Sequence, residues 1–134
     1  MSEKFDFESI PIGLDLGTLE MTLDEDTVKN GIELAQWKAR ELVDRLGVAP
    51  PGLTIGQHAR IKYIRFPDMR ASIWAKSEHE FLKPMKVGSK ISIRGRVVDK
   101  FVRRGRNYLV SEVETVDESG EVLMRSRETA VHVE

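Results

Sequence analysis

Cysteine is absent from this chain of 134 residues. Without a thiol, the protein can form no disulfide framework, no thiolate zinc site and no cysteine nucleophile. Long apolar runs are missing as well: the roughly 18 uninterrupted apolar residues of a membrane span occur nowhere, and residues 1–6 place no apolar run behind a basic stretch. The sequence therefore excludes thiol-based enzymes, and we expect a soluble, cytoplasmic protein without membrane contact.

The sequence also lacks an excess of either sign of charge, since the formal net charge is only −1. A nearly neutral chain has no general attraction for nucleic acid, and the one basic cluster, residues 94–106, is followed by an acidic stretch. We therefore expect no nucleic-acid partner. Hydrophobic residues make up 40% and charged residues 32%, a balance typical of globular proteins. The length predicts one domain over residues 1–134.

The first half of the chain predicts two helices. Apolar residues recur from Val28 to Leu46 at the spacing of one helical stripe, and acidic residues 24–26 complement the positive end of that helix. Glycine in a helix interior costs about 1 kcal/mol relative to alanine, so Asn30-Gly31 predicts a kink or break. Proline at positions 50 and 51 ends any helix there. Residues 53–64 then predict a second, more apolar helix, with a strand left open at its end.

The remaining segments change to the period of two that is typical of strands. Strands are predicted at residues 18–23, 73–81, 90–101, 107–116 and 121–133. Polar turns at residues 103–106 and 117–120 join the last three into an antiparallel meander. The economical architecture is an α+β fold in which one antiparallel sheet covers a helix.

Several segments resemble the MaoC-like acyl dehydratases, particularly the N-terminal half related to the dehydratase region of fungal fatty acid synthase. The resemblance covers nearly the whole chain and is carried by residues 49–54, 81–90, 93–98, 103–106 and 118–123. It implies a single hotdog domain, with the sheet wrapped around a central helix that begins near Leu53 and a long amphipathic helix before it. It also implies that two sheets pair edge to edge in a dimer, with an acyl-thioester site between the two hotdog units.

The proton carriers of that family are missing from their usual place. Members that hydrate or dehydrate acyl thioesters use an aspartate and a histidine just before the central helix, as acid and base. The matching stretch, residues 29–35, contains neither. Glu33 within this stretch and His58 on the predicted central helix are the candidate catalytic residues. The alternatives are a solvated carboxylate for Glu33 and a packed or surface histidine for His58.

Two further residues are candidates for substrate binding. Gly52 belongs to the turn that resembles the family's approach to its central helix. Trp37 lies about 180° from Val28 around the predicted first helix, on the side that holds Glu33. We expect Trp37 to contact a partner subunit or an acyl chain, unless the helix is covered on both sides within one subunit.

Three arginines, Arg103, Arg104 and Arg106, cluster at one predicted hairpin. Guanidinium groups suit the phosphates of coenzyme A or of an acyl carrier, so these arginines are candidate substrate-binding residues. Alternatively, they solvate a sheet edge. His79 is in phase with Ile73 and Phe81, which predicts a core or interface histidine. No metal-ligand cluster or phosphate-cradling loop occurs, so we expect no metal and no cofactor.

Three functions remain open. The leading hypothesis is a MaoC-like acyl dehydratase or enoyl hydratase homologue, a hydro-lyase that binds an acyl thioester through an altered site. The second is a noncatalytic hotdog subunit that pairs with a catalytic partner. The third is a hotdog acyl-CoA thioesterase, in which a carboxylate near the central helix activates water. The expected assembly is a homodimer, a higher oligomer or a heterodimer with a catalytic hotdog subunit.

Overall fold

Five antiparallel strands form one sheet that wraps around a helix in the computed structural model, which describes residues 5–38, 40–70 and 72–132. The strands are β1 (Asp15–Thr22), β2 (Ser72–Phe81), β3 (Lys90–Arg103), β4 (Arg106–Asp117) and β5 (Val122–His132). The helices are α1 (Glu25–Ala35), α2 (Arg40–Leu46) and α3 (Ile55–Arg65). The predicted α+β architecture is confirmed, and each predicted strand lies within three residues of its observed ends.

The spatial order of the strands is β1-β3-β4-β5-β2. The last three strands of the chain form the predicted meander, because β3 pairs with β4 and β4 with β5 through short turns. β1 pairs with β3 at one edge and β2 pairs with β5 at the other. β2 is therefore an edge strand of the sheet.

Helix α3 occupies the concave face of the sheet and packs against β1, β3 and β5. At Gly95 on β3, a Cβ atom would lie 3.1 Å from Val113 Cγ2 on β4 and 3.4 Å from Ile61 Cγ2 on α3, so the space there is limited mainly by β4. The buried cluster between the helix and the sheet consists of Ile61 of α3 and of Ile10, Leu16, Phe66, Met69, Ile93, Val97, Leu109 and Val113. These apolar contacts hold α3 in a fixed position under the sheet.

The amphipathic segment that follows β1 forms two helices rather than the single one predicted. Asp24 caps α1 by accepting a hydrogen bond of 2.7 Å from the Thr27 N–H, and that bond lowers the pKa of the Asp24 carboxyl. The helix ends where Gln36 takes the left-handed conformation, with φ 52°, and the Trp37 N–H bonds the Ile32 carbonyl at 3.1 Å. The segment does break, but at Gln36 rather than at Asn30-Gly31, so the predicted position of the kink is wrong.

Gly31 lies inside α1 for a packing reason. A Cβ atom at this position would lie 2.2 Å from Leu53 Cδ1, so a larger residue here would require the Leu53 side chain to move. α1 and α2 bury their apolar faces at the end of the sheet in a second cluster, formed by Leu23, Val28, Ile32, Val43, Ala49, Met85, Ile91 and Leu123. Within the described residues, no helix has the length and apolar character needed to cross a membrane.

Candidate functional site

The inner face of α3 carries polar side chains into the core. Thr54, His58 and Lys62 are spaced four residues apart, so they lie on one face of the helix, and all three are buried against the sheet. His58 is only 1% exposed. Its Nδ1 lies 2.7 Å from Ser126 Oγ on β5, and its Nε2 lies 2.6 Å from Thr115 Oγ1 on β4. Both ring nitrogens of His58 are thus engaged within the core.

The hydrogen bonds of His58 belong to a longer chain, which we call the polar chain: His79, Ser126, His58, Thr115 and Thr54. His79 Nδ1 on edge strand β2 lies 2.8 Å from Ser126 Oγ, and Thr115 Oγ1 lies 3.1 Å from Thr54 Oγ1. Burial lowers the pKa of His58 to about 4, and the nearby His79 adds to this effect. His58 is therefore a neutral imidazole at pH 7, and one hydroxyl partner donates while the other accepts.

The polar chain also affects the capping of the N-terminus of α3. The Thr54 hydroxyl is turned inward to Thr115 and to Met124 Sδ, at 3.4 Å, and it does not cap the helix. The first-turn N–H groups of a helix have no partner within the helix itself. This end of α3 therefore offers amide donors without a side-chain acceptor from Thr54.

A second buried polar group lies towards the other end of α3. Burial lowers the pKa of Lys62, an effect that the facing Glu128 opposes, and burial raises the pKa of Glu128 to about 7. His132 packs against the Phe5 ring, with the ring centroids 5.0 Å apart, and burial lowers its pKa to about 4. These ionisable groups are enclosed in the core rather than presented to solvent.

A groove of about 770 Å³ lies between α1, the Pro50-Pro51-Gly52 turn and the first turn of α3. We call it the helix groove. Its walls are Met21, Thr27, Asn30, Gly31, Ile32, Leu34, Ala35, Trp37, Pro50, Pro51, Gly52, Leu53, Gly56 and Gln57. None of these fourteen side chains carries an ionisable group. Its polar side chains are those of Thr27, Asn30 and Gln57, and Gln57 Oε1 is buried without a hydrogen-bond partner among the described residues.

The structure separates the residues predicted for catalysis from this groove. Trp37 and Gly52 line it together, although Trp37 follows the end of α1 rather than lying on its face. Glu33 is exposed on α1, and neither it nor His58 is among the lining side chains. The two residues predicted to bind substrate near the helix thus lie at one groove, and the two predicted to move protons lie outside it.

The three candidate arginines are exposed at the β3–β4 turn, where Arg104 and Gly105 have φ of 52° and 73°. The turn lies at the far end of the sheet from the helix groove. At roughly 3.3 Å per residue, Arg106 is about 30 Å along β4 from Thr115. Within one chain, the structure therefore does not bring these arginines to Trp37 or Gly52. Their neighbours Arg94 and Arg96 pair with Glu114 and Glu112 across β4.

Four residues of this region escape sequence reasoning: Thr54, Gln57, Thr115 and Ser126. Thr115 and Ser126 occupy inward positions of their strands, where the alternation calls for apolar residues. A polar residue at an inward position of a strand is the sequence signal that could have identified Thr115 and Ser126. His79, predicted as a core or interface histidine, is half-buried and bonded to Ser126. Across the described residues, no three His, Asp or Glu side chains meet as metal ligands.

No protein-family model matches the sequence, and no curated protein is similar to it. Several solved structures share its fold. A monoamine oxidase regulatory protein from Archaeoglobus fulgidus is 18% identical, with a TM-score of 0.78 over 96% of this chain and 94% of that one. A MaoC-like dehydratase from Rhodospirillum rubrum is 15% identical, with a TM-score of 0.73 over 95% and 96%.

A third structure is an assembly of subunits. The HadBC complex of Mycobacterium tuberculosis, a 3R-hydroxyacyl-ACP dehydratase, is 16% identical to this chain, with a TM-score of 0.75 over 96% of this chain and 99% of that one. At such identities the likeness establishes the fold alone. The chain has the hotdog fold of the MaoC-like dehydratases, which confirms the predicted resemblance and fold class. The closer likeness to fungal fatty acid synthase stays a prediction.

Proposed function

We propose that this chain is a noncatalytic hotdog subunit that binds an acyl thioester in the helix groove and pairs with a second, catalytic hotdog chain. One observation carries the proposal. The open groove at the N-terminus of α3 has no ionisable side chain among its lining residues, while the nearest buried imidazole, His58, is sealed beneath the helix.

Hydration of an enoyl thioester needs a proton carrier within hydrogen-bond reach of the substrate, and its loss lowers the rate roughly 10²- to 10⁴-fold. His58 bonds Thr115 and Ser126 through its two nitrogens, which leaves neither nitrogen for a substrate. Glu33 is exposed on α1, outside the groove. No carboxylate lines the groove to activate water, which argues against a thioesterase. The geometry therefore supports the binding subunit over both enzymatic alternatives.

The groove suits an acyl thioester in two respects. Its apolar walls, including Ile32, Leu53 and Trp37, match a hydrocarbon chain. Amide donors at the first turn of α3 lie at the positive end of the helix dipole, which favours a carbonyl oxygen. A ligand with one polar group on a long apolar chain meets these requirements together.

Edge strand β2 supports the pairing with a second chain. Its outer side bears the unpaired backbone groups of a sheet edge, and Ile73, Trp74 and Phe81 remain exposed on it. Apolar side chains on a bare edge favour pairing with another strand. The HadBC structure is a complex of subunits with this fold. In such a pair the second chain would supply the aspartate and histidine that residues 29–35 lack.

The proposal is tested by titrating the purified chain with an enoyl coenzyme A thioester in a calorimeter while the double-bond absorbance and free thiol are followed. We expect binding without loss of the double bond and without thiol release. Gly56→Leu is the test variant, because a Cβ at Gly56 meets nothing within 4 Å and a leucine would fill the groove. Leucine also favours a helix over glycine, so the variant should fold.

We expect Gly56→Leu to weaken binding at least tenfold. The matched control is Val102→Leu, an exposed apolar position on β3 at the far end of the sheet, which should bind as the wild type does. If the wild-type chain shows no binding, or if Gly56→Leu and the control bind equally well, the proposal is wrong. Loss of the double bond with the wild type would return the hydratase hypothesis to first place.

A further inference from the structure

Two rows of charged side chains cross the outer face of the sheet, the face that points away from α3. Each row passes from β3 over β4 and β5 to β2 with one residue per strand, and its members alternate in sign. One row consists of Arg94, Glu114, Arg125 and Glu80, and the other of Arg96, Glu112, Arg127 and Glu78. We call them the charge rows. Opposite charges on directly opposed residues of neighbouring strands favour pairing, whereas like charges oppose it.

Within the charge rows, each glutamate of β4 lies between two arginines. Glu112 Oε2 is 3.4 Å from the Arg96 guanidinium on β3, and Glu112 Oε1 is 2.9 Å from that of Arg127 on β5. Glu114 is likewise 3.3 Å from an arginine of β3 and 3.8 Å from one of β5. Exposed ion pairs of this kind contribute little to stability one by one. Their alternation instead indicates which sign of charge suits the next strand of each row.

The charge rows end at edge strand β2 on Glu78 and Glu80, each of which has an arginine on one side only. Glu78 has a second partner on its own strand, because Lys76 Nζ lies 2.9 Å from Glu78 Oε1. Lys76, and more weakly Arg127, lower the pKa of Glu78. Glu80 is exposed and forms no hydrogen bond or ion pair among the described residues. A strand added at β2 would place its own outward side chains next to these two glutamates.

A second copy of this chain does not match the charge rows. β2 contains one lysine, Lys76, and no arginine. Its histidine, His79, points to the inner face, where it bonds Ser126. In an antiparallel pair of two copies, each residue of one β2 faces one residue of the other, so the single lysine faces one glutamate at most. No register therefore gives Glu78 and Glu80 basic partners together, and every register leaves an acidic excess at the edge.

We propose that β2 pairs with the edge strand of a different chain, one that presents arginine or lysine at two outward positions opposite Glu78 and Glu80, and that these charges favour this partner over a second copy. This inference rests on the proposed function, from which it takes the pairing of β2 with a second subunit. It adds the charge of that subunit's edge strand. Exposed Ile73 and Phe81 supply apolar contact to any strand at this edge. The charges discriminate between strands, because electrostatic complementarity contributes more to specificity than to affinity.

The experiment uses a charge-reversed copy of this chain as the basic partner. In Glu78→Arg/Glu80→Arg, a register that sets position 78 of one chain opposite position 80 of the other gives both wild-type glutamates an arginine. We expect the mixture of wild type and variant to associate about tenfold more tightly than either protein with itself, as measured by sedimentation of a fluorescently labelled wild type. The advantage should shrink at about 0.5 M salt, because exposed charges are then screened.

The matched control is Glu20→Arg/Glu41→Arg, which makes the same change of net charge at exposed positions on β1 and α2. Its mixture with wild type should show no gain. Circular dichroism checks the fold of each variant. Glu80→Arg alone keeps the test decisive if the double variant unfolds, since the Glu80 side chain forms no ion pair to lose. We expect this single variant to give a gain of about threefold with wild type.

Wild type that associates with itself as tightly as with the basic variant would overturn the inference, as would an equal gain with the control. Either result would leave the proposed function intact. Absence of association in every mixture would overturn the inference together with the pairing at β2 in the proposed function. Thioester binding by the helix groove is measured on the chain alone, so its failure is distinguishable from a failure of this inference.

Discussion

Two sides of the first turns of α3 differ in polarity and in access. The inner side holds Thr54 and His58, which are sealed in the core, with His58 hydrogen-bonded at both ring nitrogens. The groove side holds Gly56, which has open space beside it, and Gln57, which is half-buried among uncharged walls. The groups able to carry a proton are thus on the closed side, and the space able to hold a ligand is on the other. The groove that we propose for the ligand and the buried His58 imidazole therefore lie on opposite sides of α3.

Loss of the His58 imidazole should have the largest effect on the stability of the fold. His58→Ala leaves the hydroxyls of Thr115 and Ser126 without their ring partner and opens a cavity. We expect the free energy of unfolding to fall by about 3 kcal/mol, measured by urea denaturation. His58→Gln, whose amide can bond one hydroxyl, should lose less. A loss below about 1 kcal/mol for His58→Ala would show that the polar chain is not a structural feature.

The next effect is the dependence of stability on pH. The pKa of His58 is lowered from 6.5 to about 4, so between these values the unfolded chain binds a proton that the folded chain does not. Stability from this group is complete above pH 6.5 and is lost as the pH falls towards 4, by about 1.4 kcal/mol per pH unit. His132 acts in the same direction, whereas Glu128, with its pKa raised to about 7, favours the folded state at low pH.

His58→Gln isolates the contribution of His58 to that slope. The variant should unfold with a slope lower by about 1.4 kcal/mol per pH unit between pH 4.5 and 6, as measured by denaturation at a series of pH values. Because His132 and Glu128 are unchanged, their contributions cancel in the comparison. Parallel curves for the two proteins would mean that His58 is accessible to protons in the folded state, contrary to the sealed inner side.

A smaller effect is expected on the pairing of this chain with a second subunit. Ile73→Lys places a charge on the exposed face of edge strand β2, where Ile73 is 59% exposed. A lysine on a sheet edge discourages pairing with another strand. We expect the dissociation constant of any dimer to rise about tenfold, or about 1.4 kcal/mol, by sedimentation. Phe101→Lys, on β3 and away from β2, is the control, and an equal weakening by both substitutions would remove β2 as the pairing edge.

The smallest effect lies at the β3–β4 turn, remote from both sides of α3. Arg104 adopts φ 52°, a left-handed conformation that favours glycine. Arg104→Gly should therefore stabilise the fold by about 0.5 kcal/mol, seen as a slightly raised melting temperature. A destabilised variant would show that the Arg104 side chain makes contacts that outweigh its backbone strain.

The periodicity of the sequence was enough to predict the α+β class and the positions of the strands, whereas the hotdog fold was predicted from the family resemblance. Alternation in residues 73–81 and 90–101, and the turns at 103–106 and 117–120, predicted β2 to β5 because side chains of a strand point to its two faces in turn. The position of the break between α1 and α2 could not be predicted, since it falls at Gln36, where the sequence has no helix-breaking residue. Gly31 instead lies inside α1, beside the Leu53 side chain.

The site was only partly predictable for the same reason. Trp37 and Gly52 were found from their position and from the family resemblance, and the structure places both at the helix groove. His58 could be located on α3, but its closure depends on Thr115 and Ser126, which are more than fifty residues away in the chain. No local pattern reports which strand positions lie opposite a helix, so the difference between the two sides of α3 becomes visible only in three dimensions.

We propose that the helix groove binds an acyl thioester without acting on its double bond. The most direct measurement follows the absorbance of an enoyl coenzyme A thioester held at saturating protein, with wild type and His58→Gln compared side by side. We predict that the ligand binds to both proteins and that its double bond persists in both. Loss of the double bond with the wild type but not with His58→Gln would contradict the account and make His58 a catalytic base.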